Sequence, residues 1–226
     1  MLVTAISDTH GQHEDVLVPE SNILCICGDI VPLRIQNNVR QSFKWFETNF
    51  IKWCQSLPVE QIYLIGGNHD FFLQERDKTV NEYLQGTKIT YLNNTGAEYL
   101  DNDGICWTIW GSPLCHIFGN WAFMYSPEYE KEKFSLMPKN LDILLTHDAP
   151  YGRNDVCFEA FAQEHIGNHE LLEEVQIKKP KYHFTGHLHT SDHNIVDYDG
   201  TKTVCVSVLN ERYDLAFNSL TLELHK

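Results

Sequence analysis

Positive charge is scarce in this sequence. Lys and Arg number 17 against 31 Asp and Glu, a formal net charge of −14 over 226 residues. A protein that draws its affinity from phosphate-backbone contacts needs the opposite balance, so nucleic acid is not an expected partner. Cysteine spacing is equally uninformative about disulfides. The seven cysteines form no CxxC pair and no framework, and several sit inside apolar runs, which reads as reduced core thiols. No apolar run is long enough to span a bilayer, and Met1 leads straight into a strand-like run without the n-region or h-region of a signal peptide. The expected location is therefore the cytoplasm, with no membrane partner. Internal repeats, low-complexity tracts and Pro/Gly/Ser linkers are also lacking, so one domain over residues 1–226 is expected.

What the chain does have is a repeated way of ending its strands. Ile62 to Ile65 is an apolar run followed by Gly66-Gly67-Asn68-His69-Asp70, two permissive glycines and then an amide, an imidazole and a carboxylate. Leu2 to Ile6 ends in Ser7-Asp8-Thr9-His10, and Ile23 to Cys27 in Gly28-Asp29. Leu141 to Leu145 ends in Thr146-His147-Asp148, and Tyr182 to Phe184 in Thr185-Gly186-His187-Leu188-His189. Open α/β sheets bind ligands at the carboxyl ends of their strands. The five runs would thus deliver ligand-type side chains to one edge.

Between these runs the pattern is helical at first. Val39, Phe43, Phe46, Phe50, Cys54 and Leu57 recur at steps of three and four, predicting an amphipathic helix stopped by Pro58, with its aromatics in the core. A short helix is expected over Val80 to Leu84. Strands are expected over Ile89 to Leu92, Ala97 to Leu100 and Ile105 to Trp110, the last two joined by a turn at Asp101-Asn102-Asp103-Gly104. That run interrupts the strand-helix alternation and predicts a second sheet. Gly111 to Tyr125, rich in aromatics without a period, is either a packed loop or a substrate lip. Ser126-Pro127 predicts a helix start, and further helix is expected over Val156 to His165 and Glu170 to Val175. Ile195 to Tyr198, Thr203 to Val208 and Leu215 to Leu224 read as hairpin-type strands.

The polar strand ends form a coherent donor set. Asp8 and His10 can reach one ion, while the two oxygens of Asp29 can each take a different one and so hold a pair roughly 3.5 to 4 Å apart. Asn68 adds a neutral oxygen, and His147, His187 and His189 add imidazole nitrogens. A mixed N/O set of this kind suits Mn, Fe or Zn. Two divalent ions, two carboxylates and one hydroxide leave an excess of about +1, which attracts a phosphate group.

Asp-x-His at 8–10, Gly-Asp at 28–29, Gly-Asn-His-Asp at 67–70, a lone His147 and Gly-His-Leu-His at 186–189 resemble, in order, the signature of the calcineurin-like metallophosphoesterases. The short chain and compact spacing are more loosely similar to the metallophosphoesterase-domain-containing group related to class III cyclic-nucleotide phosphodiesterases. The resemblance implies an α/β fold of two packed mixed β-sheets flanked by helices. It implies Asp8, His10, Asp29 and His189 around a first ion and Asp29, Asn68, His147 and His187 around a second, with Mn ahead of Fe or Zn. It further implies hydrolysis of a phosphate ester by a bridging hydroxide, with His69 as general acid and Asp70 accepting the other ring N–H of His69. A phosphodiester is favoured on the looser likeness alone, with a phosphomonoesterase, a protein phosphatase or a non-catalytic scaffold as alternatives. The substrate expected is a small phosphorylated molecule such as a nucleotide. Asp148, beside His147, departs from the pattern and would either bond a neighbouring group or repel an anion. Arg34, Arg153 and Asn154 are either phosphate grips or surface or structural residues. Among the other histidines, His116 stands out by lying in the aromatic loop and His193 by following Gly-His-Leu-His by four residues.

Overall fold

The computed structural model describes residues 1–159, 162–190 and 193–226. Its layering follows from the two-residue alternation of the first strands. In β1 (Leu2–Ile6), β2 (Ser21–Ile26) and the later β3 (Val59–Leu64), the side chains of Val3, Ala5, Ile23, Cys25 and Tyr63 point one way, and those of Ile6, Leu24, Ile26, Ile62 and Leu64 the other. Both faces are apolar, so both must be covered. Between β2 and β3 the chain forms α1 (Val39–Trp45), a π-helical turn (Phe46–Phe50) and α2 (Ile51–Ser56), one continuous helical segment capped by the Asn38 side chain on the Gln41 N–H at 3.1 Å. The expected amphipathic helix is there, and its Phe46 and Phe50 are wholly buried with rings 5.7 Å apart. Each such ring contributes roughly 1.5–3 kcal/mol by leaving water.

After β3 come α3 (Phe71–Glu75), α4 (Asp77–Tyr83) and β4 (Ile89–Tyr91), completing a five-stranded sheet in which β1 to β4 run parallel. The hairpin of β5 (Thr95–Leu100) and β6 (Cys106–Ser112), turning at the predicted Asp101–Gly104, opens the second sheet. It continues through α5 (Pro127–Ser135), capped by Ser126, into β7 (Ile143–Thr146). Next follow β8 (Val156–Glu159), β9 (Ala162–His165), α6 (His169–Lys178) and β10 (Tyr182–Thr185), then β11 (Val196–Tyr198), β12 (Thr201–Cys205) and β13 (Leu220–Glu223). The six-stranded second sheet has the order β11-β12-β10-β7-β6-β5, parallel at its centre and antiparallel at its edges. Trp107, Ile109, Ile143, Leu145 and Phe184 from this sheet pack on Val3, Ala5, Ile23 and Tyr63 of the first, while Trp110 and Leu144 face Phe134, Leu171 and Val175 of α5 and α6. The result is an α/β fold of two mixed sheets packed together and flanked by helices, as expected.

Two segments differ from the sequence reading. Val156 to His165 is an antiparallel pair and not a helix, with Val156 opposite His165; residues 160 and 161 of the expected helix lie outside the described residues. The base of the pair is closed by the buried Asp155, whose carboxylate accepts from the N–H groups of Gly152 and Gly167 and pairs with His165 Nδ1 at 2.6 Å. These bonds come from both ends of the segment, which a local helix cannot exploit. At the C-terminus, β13 is not a hairpin partner of β12. It crosses to the edge of the first sheet and runs antiparallel to β1, Leu2 opposite Glu223. The two sheets also join at their carboxyl edge, where the Ser7 N–H donates to Val206 O at 2.9 Å and the Val208 N–H to Ser7 O at 3.1 Å. No helix among the described residues is long and apolar enough to cross a membrane.

Candidate metal centre

The parallel strands bring their polar ends to one seam. Asp8 leaves β1 at φ +56° and His10 follows at +42°, Asp29 leaves β2 at +53°, and His187 follows β10 at +69°. Left-handed backbone at non-glycine residues is costly and concentrates where side chains must be aimed. The bends are tied together by main-chain bonds: Asp8 N–H to Gly28 O at 3.0 Å and His10 N–H to Asp29 O at 2.9 Å. Two glycines permit the close approach. A Cβ on Gly67 would fall 2.6 Å from His147 Cε1, and one on Gly186 would fall 2.8 Å from Asp8 Oδ2.

The carboxylates sit at the centre of what results. Asp29 Oδ1 accepts the His69 N–H at 2.8 Å, and its Oδ2 lies 3.4 Å from His147 Nε2, 3.7 Å from His10 Nε2 and 3.9 Å from His69 Nε2. Asp8 Oδ1 lies 3.5 Å from His189 Nε2, while Oδ2 accepts the His187 N–H at 2.9 Å. Ligand atoms of Asp8, His10 and His189 fall within 4.8 Å of one another, as do those of His10, Asp29 and His69 and those of Asp8, Asp29 and His147. Asn68 Oδ1 joins at 3.0 Å from His147 Nε2. His187 stands at the rim, its ring 5.2 Å from that of His147. All seven residues expected to hold metal thus line one seam, with Asp8, His10 and Asp29 each belonging to two of the close groups.

This seam suits cations. Among the described residues Asp8 Oδ1 and both ring nitrogens of His10 are buried without a hydrogen-bond partner, a costly state that coordination would relieve. Outer bonds fix which nitrogen each histidine presents: His147 Nδ1 donates to Cys27 O at 2.7 Å and His189 Nδ1 to Asn210 O at 2.9 Å, leaving both Nε2 atoms inward. Burial would raise the carboxyl of Asp29, but the imidazoles of His147, His69 and His10 hold it well below the ordinary range. Asp8 is likewise brought down to about 2 against burial by His189 and His147. His147 is raised to about 10, chiefly by Asp29 against burial, so in the metal-free cluster a proton takes the part of a cation.

Asp70 does something other than expected. Its buried carboxylate accepts from the N–H groups of Ile30, Val31 and Gly67 at 3.0–3.3 Å and makes no bond to the His69 ring. Three main-chain donors already surround it, and it clamps the β2 turn to the β3 turn. The partner of His69 Nδ1 is Gln36 Oε1, a residue no motif singled out. The lone signal for it was its place in the loop after Asp29.

The aromatic loop divides. Ala122 and Phe123 are core, while Trp121 packs on the His69 ring at 4.6 Å and the half-exposed Phe118 on His187 at 5.2 Å. Tyr213, unnoticed in the sequence, lies 5.1 Å from His10 and 4.8 Å from His189. Asp148 anchors this loop, accepting from His116 N–H at 3.1 Å and pairing with His116 Nδ1 at 2.7 Å, a bond that raises the imidazole of His116. His193 bonds Ser207 O and stacks on Phe217. Arg153 lies under Tyr198 and beside Asp199, Asn154 bonds Asn194 O and Thr203 O, and Arg34 is exposed. The first two are built into the structure. A cavity of about 240 Å³ lined by Ile166, His187, Leu188, His189 and Tyr213 adjoins the seam, whereas a roomier one of about 670 Å³ among Glu20, Asn22, Pro58 and Glu60 lies at the opposite ends of the strands.

Known proteins share the overall plan of this chain. Human metallophosphoesterase domain-containing protein 1 is 27% identical over 97% of this chain and 69% of its own length. A UPF0046 protein of Caenorhabditis elegans is 29% identical over 93% of this chain and 56% of its own, so the chain spans little more than half of that relative. Among solved structures, the phosphopantetheinyl hydrolase of Mycobacterium tuberculosis superposes with a TM-score of 0.59 at 16% identity, covering 93% of this chain and 90% of that one. TT1561 of Thermus thermophilus gives 0.57 at 11%, covering 92% and 89%. At such identities the likeness is one of fold. Residues 1–191 match the calcineurin-like phosphoesterase family, and the chain belongs to that family.

Proposed function

We propose that this protein hydrolyses the phosphate ester of a small molecule, a phosphodiester in the first instance and a nucleotide among the candidates, with two divalent transition-metal ions as cofactors, Mn ahead of Fe or Zn. Asp29 is the observation that carries this reading. One carboxylate meets imidazoles delivered by three strands, and its second oxygen holds the backbone of the residue best placed to donate a proton. Asp8, His10, Asp29 and His189 would hold one ion and Asp29, Asn68, His147 and His187 the other. When bound, the ions supply positive charge to the phosphoryl oxygens and lower the pKa of a water molecule. His69 then acts as general acid. Its ring is set by Gln36 at Nδ1 and flanked by Trp121 and His10, so Nε2 faces the seam. In the balanced reaction the water oxygen bonds to phosphorus, the ester P–O bond breaks, and its electron pair takes the Nε2 proton to form the alcohol. The proton from water replaces it through solvent. Trp121, Phe118 and Tyr213 present ring faces around the seam, apolar surface for the non-phosphoryl part of the substrate.

The test is a screen of the Mn-loaded protein against cyclic nucleotides, bis-nitrophenyl phosphate and nitrophenyl phosphate. Turnover of the diesters above the monoester is expected. A protein that binds two ions and turns over none of the three is a metal-binding scaffold.

A further inference from the structure

Given that hydrolase reading, we infer that Gln36 is a positioning residue for the general acid, holding His69 with its Nδ1 protonated and its Nε2 turned to the substrate. The two nitrogens of the ring face opposite partners. Nε2 lies 3.9 Å from Asp29 Oδ2, on the seam, while Nδ1 meets Gln36 Oε1. An amide oxygen only accepts, so Nδ1 must carry the hydrogen. The neighbouring carboxylate is not available for this work, because both oxygens of Asp70 are engaged by backbone donors of residues 30, 31 and 67. Ring contacts limit tilting, with Trp121 at 4.6 Å and His10 edge-on at 4.9 Å, but neither fixes rotation by half a turn about the Cβ–Cγ bond. A ring so flipped would exchange its nitrogen and carbon edges and lose its aim. Among the described residues Gln36 supplies the ring's one hydrogen bond, and that bond distinguishes the two orientations. It lies in the loop between β2 and α1, half-buried and 33 residues from its partner. A neutral amide orients the ring without adding a charge beside the metal-binding carboxylates, where a further carboxylate would be repelled by Asp29.

The chemical step needs that aim. As the ester P–O bond breaks, its electron pair takes the Nε2 proton, and a misaligned ring leaves an alkoxide to depart unprotonated. Nitrophenolate departs readily without a proton and an alkyl or nucleoside alkoxide does not.

The experiment compares the wild type with Gln36→Met, which keeps length and volume but removes the acceptor, and Gln36→Glu, which restores an acceptor. Each is assayed on an alkyl and a nitrophenyl ester of the same phosphate, with metal content measured on the same preparation. Gln36→Met should lose about 10- to 100-fold in kcat on the alkyl ester, the usual effect of removing an outer partner, and only a few-fold on the nitrophenyl ester with both ions retained. Gln36→Glu should recover part of the loss on the alkyl ester, its restored acceptor opposed by repulsion from Asp29. Independently of turnover, long-range proton–nitrogen NMR on ¹⁵N-labelled, Zn-loaded protein should show His69 protonated at Nδ1 in the wild type and lose that preference in Gln36→Met. Equal losses on both esters, or an unchanged Nδ1–H signal in Gln36→Met, overturn the assignment. If His69→Ala separates the two esters while Gln36→Met does not, the hydrolase reading stands and only the role of Gln36 falls. A loaded wild type that cleaves neither ester removes both.

Discussion

Replacing Asp70 by Ala separates a structural role from a catalytic one. The Asp70 side chain is wholly buried and accepts from three main-chain N–H groups, those of Ile30 and Val31 at 3.1 Å and Gly67 at 3.0 Å. Alanine leaves all three donors without a partner. Each orphaned buried donor costs about 1–3 kcal/mol, and water entering the space left by the carboxylate recovers part of it. A net loss of about 3–5 kcal/mol is expected, a large fraction of the stability of an ordinary domain. For a chain of this size 1 kcal/mol corresponds to about 2–4 °C, so Tm should fall by roughly 6–20 °C. Asp70→Asn keeps one oxygen, enough for the Val31 and Ile30 donors or for the Gly67 donor but not for both sides, and should fall between the wild type and Asp70→Ala. Scanning calorimetry on the metal-free proteins measures both shifts, with paired kcat values on an alkyl and a nitrophenyl ester at a temperature where each variant is folded. The structural account expects a large Tm shift and similar losses on the two esters. An Asp70→Ala protein within 2 °C of the wild type that slows only on the alkyl ester would show that this carboxylate orients His69 after all.

Asp29→Ala should disturb both ions together, because Asp29 joins two of the three close ligand groups; metal analysis that finds two ions at wild-type occupancy refutes a shared carboxylate. His69→Ala should keep both ions and lose roughly 100- to 10,000-fold on an alkyl ester but far less on a nitrophenyl ester; equal losses, or loss of an ion, would make His69 a ligand or a substrate contact. Glu130 gives a pH dependence away from the seam. Its buried carboxyl, with Oε1 unpartnered among the described residues and Oε2 on Asn168, is raised by burial to about 7. The folded state therefore holds a proton that the unfolded chain releases near its ordinary value of 4.5, and stability declines as pH rises from there to about 7. Glu130→Gln should gain on the order of 1–2 kcal/mol over the wild type at pH 8 and little at pH 4.5, read from urea midpoints at both values; an equal gain at both would assign it to packing.

The sequence alone determined what is local in this protein. The apolar runs Leu2–Ile6, Ile23–Cys27 and Ile62–Ile65 place apolar side chains on both faces of a strand whatever covers them, and each motif sits on the turn that its own strand must make. The seven residues expected to hold metal were therefore legible as one group, as were the Val39–Leu57 helical segment and the hairpin at Asp101–Gly104. Tertiary structure decided what depends on distant parts of the chain. Val156 to His165 pairs as strands because Asp155 is bonded from both flanks, and β13 leaves the second sheet for the free edge of β1, more than 200 residues away. The same holds for the site's supports. Gln36 meets His69 across 33 residues, the oxygen of Cys27 meets His147 across 120, and that of Asn210 meets His189 across 21. A hydrogen bond to a side-chain amide or a main-chain oxygen leaves no spacing in the sequence, because any residue brought to that point by the packed sheets can offer it.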